Sequence, residues 1–109
     1  MTSTTIDTGH DITTLINVFT VTSETQQPLV DLLVDATDKV MRHHRPGFVS
    51  ATIHTSLDGT RVVNYAQWRS REGVQAMLDD PAAQEHMQAA GDLAPAEPHL
   101  YHVTAVLHA

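Results

Sequence analysis

The chain alternates between two hydrophobic periods. Residues 13–21, TTLINVFTV, are rich in β-branched side chains and put Leu15, Asn17, Phe19 and Val21 on one side at a spacing of two, which predicts a strand. From residue 23 the spacing lengthens. Leu29, Leu33, Ala36 and Val40 recur at helical intervals, and Val30, Val34 and Met41 widen the stripe. Ser23 with Gln26 is placed to form a capping box, Pro28 suits a first turn, and Pro46-Gly47 marks where the helix has ended. Residues 48–68 return to period two as two β-rich runs flanking Asp58-Gly59, a strong signal for a type I′ hairpin turn. Ser70 caps a short helix ending near Leu78. Asp80-Pro81 opens another helix, which Gly91 is expected to end. Residues 91–98 read as a loop and 99–109 as the last strand. Residues 1–11 are polar and are expected to form a disordered N-terminal segment, leaving 12–109 as a single domain.

The order is β-α-β-β-α-β with the second helix split in two. A right-handed split βαβ leaves a slot between the first two strands, and the third strand fills it antiparallel. The expected fold is α+β, a ferredoxin-like antiparallel sheet with helices on one face. With Asp58 and Gly59 as the turn, Ile53 pairs with Asn64 and Val49 with Trp68, and cross-strand partners share a face. One face then carries Val49, Ala51, Ile53, Thr55, Val62, Asn64, Ala66 and Trp68, and is expected under the helices. The other carries Phe48, Ser50, Thr52, His54, Val63, Tyr65 and Gln67. No helix remains to cover this second, amphipathic face, so it is expected to meet a second subunit, giving a homodimer of the dimeric α+β barrel type.

Composition narrows the function. The chain has 109 residues, 41% of them hydrophobic and 17% charged, which suits one globular domain with one core. Six Lys and Arg against 13 Asp and Glu give a formal charge of −7, which disfavours a nucleic-acid partner. Cysteine is absent, which removes disulfides, thiolate metal sites and a thiol nucleophile. No apolar run has the length of a membrane span, no signal peptide is recognisable, and a cytoplasmic protein is expected. There is no Gly-rich phosphate loop, nucleotide fingerprint or nucleophile elbow.

Against that background, VNYAQW (residues 63–68) stands out. It puts an amide, Asn64, and an indole, Trp68, on the helix-covered face of one strand, and Asn17 joins them if the first strand presents the same side. Each buried polar group left unsatisfied costs about 1–3 kcal/mol. Such groups bond to each other, to backbone, to water or to a ligand. An apolar cavity with a few convergent hydrogen-bonding groups is the usual form of a small-molecule site. Singly, Asn64 could be a buried amide holding backbone and Trp68 the largest core residue; together the three favour a site. The eight histidines show no convincing metal spacing, and no metal is expected. His86 is flanked by small residues, Ala82, Ala83, Ala89 and Ala90, and reads either as a pocket base or ligand or as a half-exposed helix residue. Asp31, Asp35 and Asp38 form a solvated helix face with Lys39 and Arg42 as partners one turn on.

The stretch PGFVSATIHTSLDGTRVVNYAQWRSREG (residues 46–73) resembles the antibiotic biosynthesis monooxygenase family, and VNYAQW is similar to its anthrone oxygenases of aromatic polyketide pathways. The resemblance implies an enzyme, a small dimer that oxidises a tricyclic anthrone to a quinone with molecular oxygen as co-substrate and no cofactor. It implies Asn17, Asn64 and Trp68 as the functional set. His86 is a further candidate for proton transfer, and Phe19, Val49, Ala51, Ile53, Ala66, Met77 and Met87 are expected as apolar lining. The Tyr and Arg of the actinorhodin-pathway type are not matched: their neighbourhoods hold Gly73 or Val74, and His86 or Met87. Haem-degrading relatives use a strand Asn, a helix Trp and a helix His. Asn17 and His86 match two of these, but Met77 replaces the Trp. Haem binding or degradation, and a non-catalytic small-molecule-binding or stress-response dimer, are the alternatives.

Overall fold

The computed structural model describes residues 2–9 and 11–109; Met1 and His10, both in the segment expected to be disordered, lie outside the described residues. The elements run β1 (Thr13–Thr20), α1 (Gln26–Lys39), β2 (Phe48–Thr55), β3 (Arg61–Trp68), α2 (Arg71–Leu78), α3 (Pro81–Leu93) and β4 (Ala96–Tyr101). A single 3-10 turn, Met41–His44, follows α1. The sheet order is β2-β3-β1-β4 with every pair antiparallel, so β3 fills the slot between β1 and β2. This is the ferredoxin-like arrangement that the order of elements implies.

Local chemistry explains most boundaries. Ser70 Oγ accepts from Gly73 N at 3.1 Å and starts α2; Asp80 Oδ1 accepts from Ala82 N at 2.9 Å ahead of Pro81 and starts α3. The expected Ser23/Gln26 capping box does not form; the N-cap of α1 is Thr25, with no side-chain cap bond, and the turn before it is closed by reciprocal bonds between Thr22 and Thr25. There Thr25 Oγ1 accepts from Thr22 N at 2.9 Å and Thr22 Oγ1 from Thr25 N at 3.3 Å. Along the exposed side of α1, Lys39 pairs with Asp35 at 3.0 Å and Arg42 with Asp38 at 3.3 Å. Val34 faces solvent rather than the core, narrowing the expected stripe.

The hairpin keeps its expected register, Ile53 opposite Asn64, but by a different turn. Asp58 does not take positive φ, which a type I′ turn requires; only Gly59 does, at 77°. Gly59 N donates to Ser56 O and Ser56 N to Arg61 O, so residues 57–60 form a longer loop. Asp58 organises it by accepting from Ser56 Oγ, Thr60 N and Thr60 Oγ1 at 2.7–3.0 Å. These bonds, Thr60's first, hold its carboxyl down to about 2.

A β-bulge corrects the face assignment at the start of β2. Between Ser50, opposite Gln67, and Phe48, opposite Trp68, Val49 is an extra residue. Phe48 therefore turns under the helices and is buried, while Val49 points away and is 38% exposed. Two further boundaries differ from expectation. Gly91 does not end α3, which continues to Leu93, and β4 begins at Ala96, inside the expected loop. Edge position lets β4 include Pro98, whose nitrogen has no ladder bond to make. Residues 102–109 carry no regular structure.

The sheet's other face lacks a helix but is not bare. Thr4 Oγ1 lies 2.9 Å from Ser50 Oγ and 3.0 Å from Gln67 Oε1, and Gln67 Nε2 donates to Thr5 O at 2.9 Å. The N-terminal segment thus touches the sheet at Gln67, which it helps to bury.

Candidate active site

Under the helices the core divides in two. One cluster gathers Phe19, Val21, Leu29, Leu33, Val62, Ala90 and Ala94; the other Val40, Phe48, Ala66, Trp68, Val74, Met77 and Ala83. The register explains the gap. Phe19 pairs with Val62, and Phe48 with Trp68, but the row between holds Asn17 opposite Asn64. Two short amides replace the branched apolar residues that would have joined the clusters. Next to them lie Ala51 and Ala66, paired with each other and too small to fill the space. The result is a cavity of ≈ 240 Å³ between the sheet and α1 and α3.

Asn17, Asn64, Trp68 and His86 all line this cavity, as do Phe19, Ala51, Ala66, Met77 and Met87. The indole N–H of Trp68 and the amide oxygens of Asn17 and Asn64 are enclosed and have no hydrogen-bond partner among the described residues. Thr14 Oγ1 shares that condition, but on the opposite side of the sheet. The walls are otherwise almost wholly apolar. At about 1–3 kcal/mol for each group, three unpaired polar groups in one apolar hollow form an arrangement that a polar ligand relieves.

Two expected lining residues are elsewhere. Val49 is displaced by the bulge, and its place is taken by Phe48, whose ring meets Trp68 edge-on with centroids 5.3 Å apart. Ile53 shares the face but packs against the Phe19 cluster, beyond the cavity's end. The sequence reading missed Thr37 and Met41 from α1 and the turn after it, and Ala96, Pro98 and Gly91 at the far rim. Met41 was visible as part of the helical stripe. Pro98 was not, because β4's position depends on pairing with β1.

His86 sits on α3 with its ring in the wall. Its Nδ1 lies 2.9 Å from Ala82 O and its Nε2 3.4 Å from Asp35 Oδ2 on α1. A carbonyl and a carboxylate only accept, so the neutral ring can donate to just one of the two, and the imidazolium donates to both. The Lys39 ammonium bonded to Asp35, and then His86, hold that carboxyl below its ordinary value. A second imidazole, His44, packs behind Trp68 with ring centroids 6.3 Å apart, and its Nε2 meets Asp80 Oδ2 at 2.8 Å. The pair ties the end of the 3-10 turn to the cap of α3. No group of three or more His, Cys, Asp or Glu able to hold a metal occurs among the described residues. No helix among them is long and apolar enough to cross a membrane.

Comparison with known proteins agrees with this fold. A tetracenomycin-F1 monooxygenase of Streptomyces glaucescens is 54% identical over 82 residues, 75% of this chain and 72% of the relative. Among solved structures, the monooxygenase from the gene ActVA-Orf6 of Streptomyces coelicolor, determined with the ligand nanaomycin D, is 32% identical. It superposes with a TM-score of 0.74 over 94% of this chain and 96% of its own. SnoaB, a cofactor-independent oxygenase from Streptomyces nogalater, reaches a TM-score of 0.78 over 89% and 97%, and at 24% identity that likeness is one of fold. Residues 12–89 match the antibiotic biosynthesis monooxygenase family, and with a fold and a 54% identical relative that concur, the chain belongs to that family.

Proposed function

We propose that this protein is a cofactor-independent monooxygenase that oxidises an anthrone-type aromatic polyketide to a quinone with O₂. The observation that carries the reading is the set of enclosed, unpaired polar groups of Asn17, Asn64 and Trp68 in one apolar cavity. A flat aromatic ketone with phenolic hydroxyls offers both acceptors and donors to such a set. The names of the 54% identical relative and of the ActVA-Orf6 monooxygenase support the class of reaction.

An anthrone is acidic at its central methylene because loss of a proton yields an aromatic phenolate. Donors already aimed at the oxygen where that charge develops lower the barrier, and they act more strongly where water is excluded. The indole N–H of Trp68 and the side-chain NH₂ groups of Asn17 and Asn64 fill that role, while the enclosed oxygens of the two amides accept from phenolic hydroxyls of the substrate. His86 is the candidate for proton transfer, and Asp35, 3.4 Å from its Nε2, stabilises the imidazolium form. The carbanion passes one electron to O₂, the radical pair recombines to a peroxide, and loss of water leaves the new carbonyl. One O₂ is consumed, one oxygen atom enters the product and the other leaves as water. The chain supplies orientation, hydrogen bonds and a dry cavity.

The protein works as a homodimer in this reading. The sheet face bearing Ile16, Val18, Thr52, His54, Val63 and Tyr65 has no helix over it and suits a second copy. Phe48, expected on this face, belongs to the other.

The test is oxygen uptake with emodin anthrone in chelator-treated buffer with no added cofactor. Uptake of one O₂ per quinone formed is expected. A requirement for added metal, flavin or haem would overturn the reading, and a Soret shift on haem titration would redirect it.

A further inference from the structure

We propose that Gly91 sets the site's specificity by holding the cavity mouth open, so that the site takes polyketides with more fused rings than the cavity encloses. The inference rests on the reading of the cavity as an aromatic-polyketide site. Its starting point is a residue with no local reason to be there. Gly91 lies inside α3, where glycine is the least favourable residue apart from proline. Its backbone does not require it, because among the described residues positive φ occurs only at Gly59. Packing does not require it either: a Cβ at position 91 would meet nothing within 4 Å.

What the missing side chain leaves is space at the rim. Gly91 lines the cavity, and so do Met87, Ala96 and Pro98; these four are its solvent-exposed wall residues. The cavity therefore opens between the C-terminal half of α3 and β4. The polar groups lie inward from that opening, with Asn17 paired to Pro98 at the rim, Asn64 next, and Trp68 four residues further along β3. The enclosed ≈ 240 Å³ is smaller than the roughly 300–1,000 Å³ usual for drug-sized ligands. A polycyclic substrate that reaches the asparagines with its reacting ring must leave its distal ring at the mouth, beside Gly91. Any side chain at 91 would occupy that ring's path.

The experiment uses the chain's own reporter. Trp68 is the only tryptophan, and it lines the cavity, so its fluorescence reads occupancy without turnover. Wild type, Gly91→Ala and Gly91→Leu are titrated with a three-ring anthraquinone and a four-ring naphthacenequinone, and their thermal midpoints are measured. Gly91→Ala should melt higher than wild type, since it improves the helix. Gly91→Leu should bind the four-ring ligand at least about tenfold more weakly and keep the three-ring affinity nearly unchanged, on the scale that small steric changes in apolar pockets produce. Equal losses for both ligands, no loss for either, or no quenching of wild type would overturn the proposal. A protein that shows this size pattern but consumes no O₂ with an anthrone would retain the aperture and lose the oxygenase reading.

Discussion

Trp68 packs edge-on against Phe48, its ring 5.3 Å away, yet its indole N–H is enclosed and has no partner among the described residues. The same side chain is thus both wall and donor, and the two roles can be separated. Trp68→Phe keeps an aromatic ring against Phe48 and deletes the N–H. Asn64→Ala deletes an amide that holds no described hydrogen bond within the protein. Each change should cost turnover about 2–4 kcal/mol at the transition state, the scale of a single oxyanion donor, with little loss of thermal midpoint. Steady-state kinetics beside melting curves check this; near-wild-type oxidation in both variants removes the site.

Leu29 provides the opposite control. It is fully buried in the Phe19 cluster and does not line the cavity. Leu29→Ala should destabilise the fold by about 2–5 kcal/mol and leave kcat nearly unchanged below its melting range. Urea denaturation and rates measured on one preparation decide it.

Acid should lower the protein's thermal midpoint in a defined window. Asp58 has its carboxyl held down from 3.8 to about 2 by the Thr60 and Ser56 bonds. Asp80 is lowered by His44, and Asp35 by Lys39. A folded-state pKa below the unfolded value gives stability that is complete above 3.8 and is lost as pH falls toward the folded value. The thermal midpoint should therefore fall as pH drops from 3.8 toward 2. Asp58→Ala should melt lower at neutral pH and fall less steeply in acid. Parallel slopes for the two proteins would contradict the assignment.

The open sheet face should hold a second copy. Val63→Lys puts a charge at its centre, beside Val18 and His54 in the register. Light scattering at micromolar concentration should give twice the chain mass for wild type and a smaller mass for the variant. A monomeric wild type refutes the dimer.

Much of the architecture was legible because period and pairing are local. The strand run at 13–21, the helix stripe and the Asp80-Pro81 cap each announce themselves, and the hairpin register came out right even though its turn did not. That happened because Leu57 opposite Thr60 and Ser56 opposite Arg61 belong to the same register, whichever loop closes it. Asn17 and Asn64 could be placed together from alternation alone. Phe48 could not. A bulge is a competition between Phe48 and Val49 for contact with Trp68, and both are apolar, so the pattern is silent. β4 was misplaced for a related reason: its pairing with β1 outweighs the turn-like composition of APAEP. Gly91 was read as a stop because glycine usually is one, and its place on the cavity rim depends on tertiary structure.

The bulge at Val49 also makes the start of β2 a place where chain length and facing are uncoupled. Elsewhere in a strand, removing one residue reverses the side on which everything before it points. Here the strand already contains one residue more than its pairing uses. With Val49 deleted, Phe48 would follow Ser50's neighbour position directly and still stand opposite Trp68, and Gly47 O would still accept from Arg69 N. A chain one residue shorter at this point should keep the same aromatic wall. The same deletion between Ser50 and Thr55 should turn Phe48 to the sheet's other face and leave Trp68 without its neighbour.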